Sequence, residues 1–179
     1  DLTSRLITFA VGSDPIKKVT HIPRLIRKSA EVIFSNSDVK CEFYFSGNLR
    51  PIKIDEDQIA QVISHQFVNS CEALRGEGQV QVRVENAVVP SDNALPLPAG
   101  NYVKISVKDR GIGIPEADLP KLFDPYFTTK EMGYRRGVGL GLAISYSIVK
   151  KHGGYITVES RKEIGTTFSI YLPAHGSNP

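Results

Sequence analysis

The sequence predicts an α+β domain, with helices packed on one face of a mixed, mainly antiparallel sheet. Three observations predict it. Helical stripes come first, strands and helices then interleave, and a strand pair closes the chain. Val80, Val82 and Val84 alternate with Gln81, Arg83 and Glu85, and Val103, Ile105 and Val107 repeat the pattern, as half-buried strands do. The helices carry apolar residues on one stripe each, so each needs one surface to pack on. A chain of 179 residues has room for one such core, or one core and a short appendage.

Residues 1–10 place Leu2, Leu6 and Phe9 at helical spacing, and Gly12-Ser13-Asp14-Pro15 ends that stripe. Ile22 to Phe34 is an amphipathic helix with Leu25, Ile26, Ala30 and Ile33 on one face and Arg24, Arg27 and Lys28 mostly off it. Val39 to Phe45 is a strand, ended by Ser46-Gly47-Asn48, and Ile52 and Ile54 suggest its antiparallel partner across that turn. Asp55 is a helix N-cap, with Gln58 completing a capping box. The helix runs to about Leu74 on a stripe of Ile59, Val62, Ile63, Phe67, Ser70 and Leu74. Two alternating strands follow, separated by an exposed loop where Pro90 to Gly100 carries three prolines. The second strand ends at Asp109. Leu140 to His152 is the last helix, capped by Gly153-Gly154. Tyr155 to Ser160 and Thr166 to Leu172 are strands joined by a short turn, and residues 174–179 are a polar tail.

Composition narrows the function classes. The hydrophobic (41%) and charged (23%) fractions are those of a folded domain. A net charge of +3, with Lys and Arg never more than two in a row, argues against nucleic acid as a partner. No apolar run reaches membrane-spanning length. Cys41 and Cys71 form no motif and read as small buried residues of a reducing compartment. The chain begins at Asp1 without an initiator Met, which suggests a longer parent.

Four stretches carry chemistry. The first is Asp109 with Gly111 and Gly113, at a strand end. A carboxylate only accepts hydrogen bonds, so it suits the exocyclic amino group of adenine and rejects the carbonyl of guanine. Taken alone, the triplet also fits an ordinary turn. The second is Gly137-Val138-Gly139-Leu140-Gly141, opening an apolar helix. Backbone N–H groups and the helix dipole there favour phosphate. The spacing is neither the dinucleotide fingerprint nor a Walker loop. The third is Asn69, one helical turn after His65 on the same face. Its amide oxygen is a hard ligand suited to Mg²⁺. Alone, an asparagine there reads as a surface or capping residue, and His65 as a packed histidine. The fourth is Phe123 to Arg136, where Phe123, Tyr126 and Phe127 form an aromatic anchor, Gly133 a hinge, and Lys130, Arg135 and Arg136 reach toward phosphates.

In this order the four stretches resemble the ATP-binding catalytic domain of sensor histidine kinases, within the superfamily of gyrase B subunits, ninety-kilodalton heat-shock chaperones and mismatch-repair ATPases. QVISHQFVNSCEAL looks like the asparagine box, DRGIGI the first glycine box, LFDPYFTTK the phenylalanine box, GVGLGLAIS the second glycine box and GTTFSIYLP the closing strand. The resemblance runs from about Ile22 to Pro173. It implies a two-layer α/β sandwich (Bergerat fold): about five strands covered on one face by about three helices, with a lid loop over the nucleotide. It implies Mg²⁺ on Asn69, and base contacts from Ala73, Asp109, Gly111, Gly113, Ile114 and Thr166. Phe123, Thr129, Lys130 and Arg136 would line the lid, with Gly137, Val138, Gly139, Leu140, Gly141 and Leu142 around the phosphates. His65, Asn69 and Lys130 stand at catalytic positions.

The resemblance further implies residues 1–20 as the end of a dimerisation helix and its linker, and residues 21–173 as the catalytic domain. It implies ATP and Mg²⁺ as ligands and a γ-phosphoryl transfer to a histidine on a separate dimerisation domain. The phosphoryl group then passes to an aspartate of a response-regulator receiver domain. The parent is expected to be a cytoplasmic or membrane-anchored homodimer, this part touching neither membrane nor nucleic acid. Two departures matter. His65 stands where chaperone and gyrase relatives carry a water-activating glutamate. None of His21, His65, His152 and His175 is followed by an acidic residue as an acceptor histidine usually is. The competing readings are a switch ATPase of the same superfamily and a nucleotide-binding interaction module without catalysis.

Overall fold

The computed structural model describes residues 14–127 and 139–176. The expected helix over 1–10 and the lid positions from Thr129 to Val138 lie outside them. In chain order the elements are β1 (Lys18–Thr20), α1 (Ile22–Phe34), β2 (Asp38–Phe45), β3 (Ile52–Ile54), α2 (Glu56–Ala73), β4 (Glu77–Val89) and β5 (Gly100–Asp109). A 3-10 helix (Glu116–Lys121), α3 (Gly141–Lys151), β6 (Tyr155–Arg161) and β7 (Gly165–Pro173) complete them.

Five strands form one sheet in the order β2-β4-β5-β7-β6. Only the β2–β4 pair is parallel; the others are antiparallel. Alternation decides which face is covered. Val80, Val82 and Val84 of β4, Val103, Ile105 and Val107 of β5, and Phe168, Ile170 and Leu172 of β7 all enter one core with Ile26 and Phe34 of α1, Ile59, Ile63 and Phe67 of α2, and Ile144 and Ile148 of α3. The helices therefore form a single layer on one face, as the sequence predicts. Pro23 sits in the first turn of α1, where a missing N–H costs nothing.

The structure corrects several expectations. Ile52 and Ile54 do not pair with β2. Strand β3 pairs antiparallel with β1, in a separate two-stranded sheet. After β2 the chain is drawn across β4, where the Asn86 side chain accepts from Arg50 N–H and donates to Asn48 O, both at 2.9 Å. Pro51 then supplies no ladder donor, and Ile52 bridges to Ala174 beyond the end of β7. Both isoleucines are 1% exposed. Second, Lys18–Thr20 form a strand, β1, that the sequence did not reveal, since it and its partner are each three residues long.

Third, the loop after β4 is not wholly exposed. Leu97 folds onto the outer sheet face with Val89 and Tyr102 as a second small core, and Tyr102 donates its hydroxyl to Pro98 O at 2.9 Å. Fourth, the cysteines are half-buried rather than buried, and burial raises the Cys41 thiol to about 11, so it stays protonated. The Asp55 N-cap is as predicted, its carboxylate accepting from Gln58 N–H at 3.1 Å. The expected capping box does not form, because the Asp55 N–H that the Gln58 side chain would take is donated to Nε2 of His152, at 3.1 Å.

Candidate functional site

Asp109 ends β5 and is 3% exposed. Its Oδ1 accepts the N–H of Gly111 at 2.9 Å and its Oδ2 accepts the hydroxyl of Ser70 at 3.1 Å. Thr166 lies opposite it in the β5–β7 register. Burial pushes the carboxyl above its ordinary value, and these donors pull it back only in part. Beside it, the Ser160 hydroxyl accepts from Ile114 N–H at 2.8 Å, donates to Gly165 O at 3.0 Å and lies 2.8 Å from the Thr166 hydroxyl. The first glycine turn is thereby stitched to the β6–β7 hairpin.

The C-terminal end of α2 holds the same turn from the other side. Ile112 N–H donates to Ala73 O at 3.1 Å. A Cβ on Gly111 would fall 2.6 Å from the carbonyl carbon and oxygen of Ala73, so the two backbones meet only because residue 111 is glycine.

The second glycine cluster leads into α3, with Leu140 as N-cap. Gly139 has φ +70°, and its carbonyl accepts from Tyr126 N–H at 3.0 Å. A Cβ there would lie 2.7 Å from the Tyr126 carbonyl carbon, so glycine is again required. The first turn of α3 has no acidic side chain and its last turn carries Lys150 and Lys151, a charge order that complements the helix dipole. Below it, the His65 ring packs 3.6 Å from where Gly141 would carry a Cβ, and Nδ1 lies 3.1 Å from the Ser145 hydroxyl. Burial lowers the pKa of His65, against a raising contact with the Gly141 backbone, so the ring is neutral at neutral pH.

One helix therefore carries both ends of the site. His65 of α2 lies by the start of α3, Asn69 follows one helical turn on and is half-buried, and Ser70 and Ala73 hold the Asp109 turn. Leu140 and Leu142 are half-buried against the core. Phe123 packs its ring 5.4 Å from that of Tyr146, but Tyr126 is 47% exposed, so the expected three-ring anchor reduces in part to Phe123. Thr129, Lys130, Arg136, Gly137 and Val138 lie outside the described residues.

Four polar residues escaped the sequence reading. Ser70 was visible on the α2 stripe and Ser160 on the inward phase of β6, but neither pattern reveals a hydroxyl's partner. Ser145 is fully buried against His65. Gln66 is 0% exposed, and its side-chain oxygen and nitrogen have no hydrogen-bond partner among the described residues.

Comparison with known proteins places this geometry. Residues 54–176 match the model of the histidine kinase-, DNA gyrase B- and HSP90-like ATPases. Over 141 residues the chain is 40% identical to the sensor kinase CckA of Brucella abortus, covering 76% of this chain and 14% of that protein. It is 32% identical over 157 residues to the sensor histidine kinase ZraS of Escherichia coli K12, covering 88% of this chain and 30% of that one. The chain thus spans less than a third of either relative. The catalytic domain of histidine kinase ThkA superposes with a TM-score of 0.69 at 27% identity, over 88% of this chain and 97% of that one. The chain belongs to the histidine kinase-, DNA gyrase B- and HSP90-like ATPase family.

Proposed function

We propose that this chain is the ATP-binding catalytic domain of a sensor histidine kinase, spanning residues 21–173, with residues 1–20 leading in from a dimerisation helix. The observation that carries the reading is the buried Asp109 carboxylate, braced by Gly111 and Ser70 and joined through α2 to the glycine-led start of α3. Asp109 and Thr166 take the adenine, with Ala73, Gly111, Gly113 and Ile114 shaping its slot. The N–H groups at the start of α3 take phosphate oxygens, since a helix's first N–H groups have no internal partner. Thr129, Lys130 and Arg136, which lie outside the described residues, would by the resemblance serve the phosphate side.

The donor set fits Mg²⁺ carried in on the nucleotide. Among the described residues no cluster of three His, Cys, Asp or Glu forms a metal cage, and a nucleotide-borne Mg²⁺ needs only one or two protein oxygens, here the Asn69 amide. Bound there, the ion neutralises charge on the phosphates. His65, neutral and engaged with Ser145, braces α3 beneath the phosphates.

The γ-phosphoryl group passes to an imidazole nitrogen of an acceptor histidine on the dimerisation domain. The bond to ADP breaks, the N–P bond forms and the imidazole N–H proton is lost. Lys130 and Asn69 contribute by positioning and charge neutralisation. The phosphoryl group then moves to an aspartate of a receiver domain. The parent is a homodimer with this domain in the cytoplasm; among the described residues no helix is long and apolar enough to cross a membrane.

The test is incubation of this chain with γ-labelled ATP and a separate acceptor-helix domain. Acid-labile, base-stable phosphohistidine on that domain is the expected product. ATP binding with no such product would make the chain an interaction module. Steady hydrolysis of ATP by the chain alone would make it a switch ATPase.

A further inference from the structure

The Asp109 carboxylate accepts two hydrogen bonds among the described residues, one of them from the backbone N–H of Gly111 at 2.9 Å. Ser70 is the one side-chain donor to it among the described residues, at 3.1 Å and 1% exposed. A serine inside a helix commonly gives its proton to the carbonyl one turn back. Ser70 gives its proton to Asp109 instead.

The geometry divides the carboxylate cleanly. Oδ1 is held by Gly111 and Oδ2 by Ser70. The terminal torsion of an aspartate is broad and roughly two-fold, so one donor on one oxygen leaves the group free to turn. A second donor on the other oxygen fixes its plane. Each oxygen accepts about two hydrogen bonds, so accepting capacity remains for a ligand's edge.

We propose that Ser70 is a positioning and specificity-determining residue, which fixes the Asp109 carboxylate in the orientation that accepts the 6-amino group of a purine. The proposal rests on the adenine-site reading above. It also ties that carboxylate to α2, so the hydroxyl that orients the base-reading group and the amide of Asn69 are carried by adjacent residues of one helix.

The experiment is a cycle of equilibrium binding on the whole chain, with two nucleotides and three variants. The nucleotides are ATP and purine riboside triphosphate, which differs only in lacking the 6-amino group. Ser70→Ala is expected to weaken ATP about tenfold and purine riboside triphosphate less than about threefold, because only the amino contact depends on the carboxylate's orientation. Ser70→Cys, similar in size but a weak donor, falls between wild type and Ser70→Ala.

Equal losses for the two nucleotides would reduce Ser70 to a packing residue and overturn the proposal. Circular-dichroism melting establishes that each variant folds; if Ser70→Ala does not, the Cys variant carries the same comparison. Asp109→Asn is measured beside them and should abolish ATP binding. Undiminished ATP affinity in that variant overturns the adenine-site reading and this proposal together. Loss there, with equal losses in the Ser70 variants, overturns this proposal alone.

Discussion

At the scale of single residues the site is a set of short polar contacts whose partners come from distant parts of the chain. Asn69 carries the sharpest consequence. If its amide oxygen holds the nucleotide's Mg²⁺, Asn69→Ala should weaken Mg²⁺-ATP about tenfold or more while Mg²⁺-free nucleotide changes little, as titration calorimetry with and without a chelator would read. Equal losses would assign the residue to structure. Asp109 could be placed at a strand end before a glycine turn because residue type, neighbouring glycines and strand alternation are local properties, and its neighbour Thr166 followed from the resemblance of the closing strand. Ser70, Ser145 and Ser160 were not, because a hydroxyl shows its role only through the atom it faces, and those atoms lie 39, 80 and 46 residues away. Gln66 is the opposite case, since nothing local marks a glutamine as fully buried.

At the scale of elements, the N-terminus of α2 is a junction. The Asp55 carboxylate accepts from Gln58 N–H and from Ile16 N–H, at 3.1 and 2.9 Å. Its backbone N–H goes to His152, whose other ring nitrogen lies 2.8 Å from Ile148 O. Lys17 reaches Lys151 O at 3.0 Å. Asp55→Ala should therefore cost about 1–2 kcal/mol in denaturant unfolding, at the upper end for an N-cap because the Ile16 bond goes with it. The His152 bonds also require a neutral ring, since its Nε2 must accept. Burial lowers the pKa of His152 from its ordinary 6.5, with nearby Lys17 lowering it further and the Ile148 and Asp55 contacts opposing. A native pKa below the unfolded one means that the unfolded chain binds the extra proton first. The stabilisation is then fully present above about pH 6.5 and is lost as pH falls below it. Thermal unfolding should show the midpoint falling from pH 7.5 to 5.5, and His152→Gln should flatten that part of the slope. The cap was readable from Asp55 and its helical stripe; its histidine partner, 97 residues on, was not.

At the scale of the molecule, the one-sided helix layer follows from alternation, which is why the fold class was legible. The alternating residues of the central strands turn their main apolar face to one side, and three helices of 13, 18 and 11 residues cover it. What alternation cannot give is strand order, so the parallel β2–β4 pair and the separate β1–β3 sheet had to come from the structure. The layer meets at Phe67 of α2, fully buried with its ring 5.1 Å from that of Phe34. Phe67→Ala should cost about 3–5 kcal/mol by cavity formation, and chemical denaturation would show a lowered midpoint at unchanged slope. The separate β1–β3 sheet has a consequence for how the molecule opens. Its ladder has three residue pairs and shares none with the main sheet. Lys18 and Val19 are exposed, so β1 contributes little to the core. Detachment of β1 should be a sub-global opening that breaks its own ladder, the Thr20 and Lys18 contacts to Glu56, and the Ile16 and Lys17 contacts, while the five-stranded sheet stays closed. The entering strand should then behave as a cooperative unit of its own, and hydrogen exchange should find its amides faster than those of β5 at the sheet's centre.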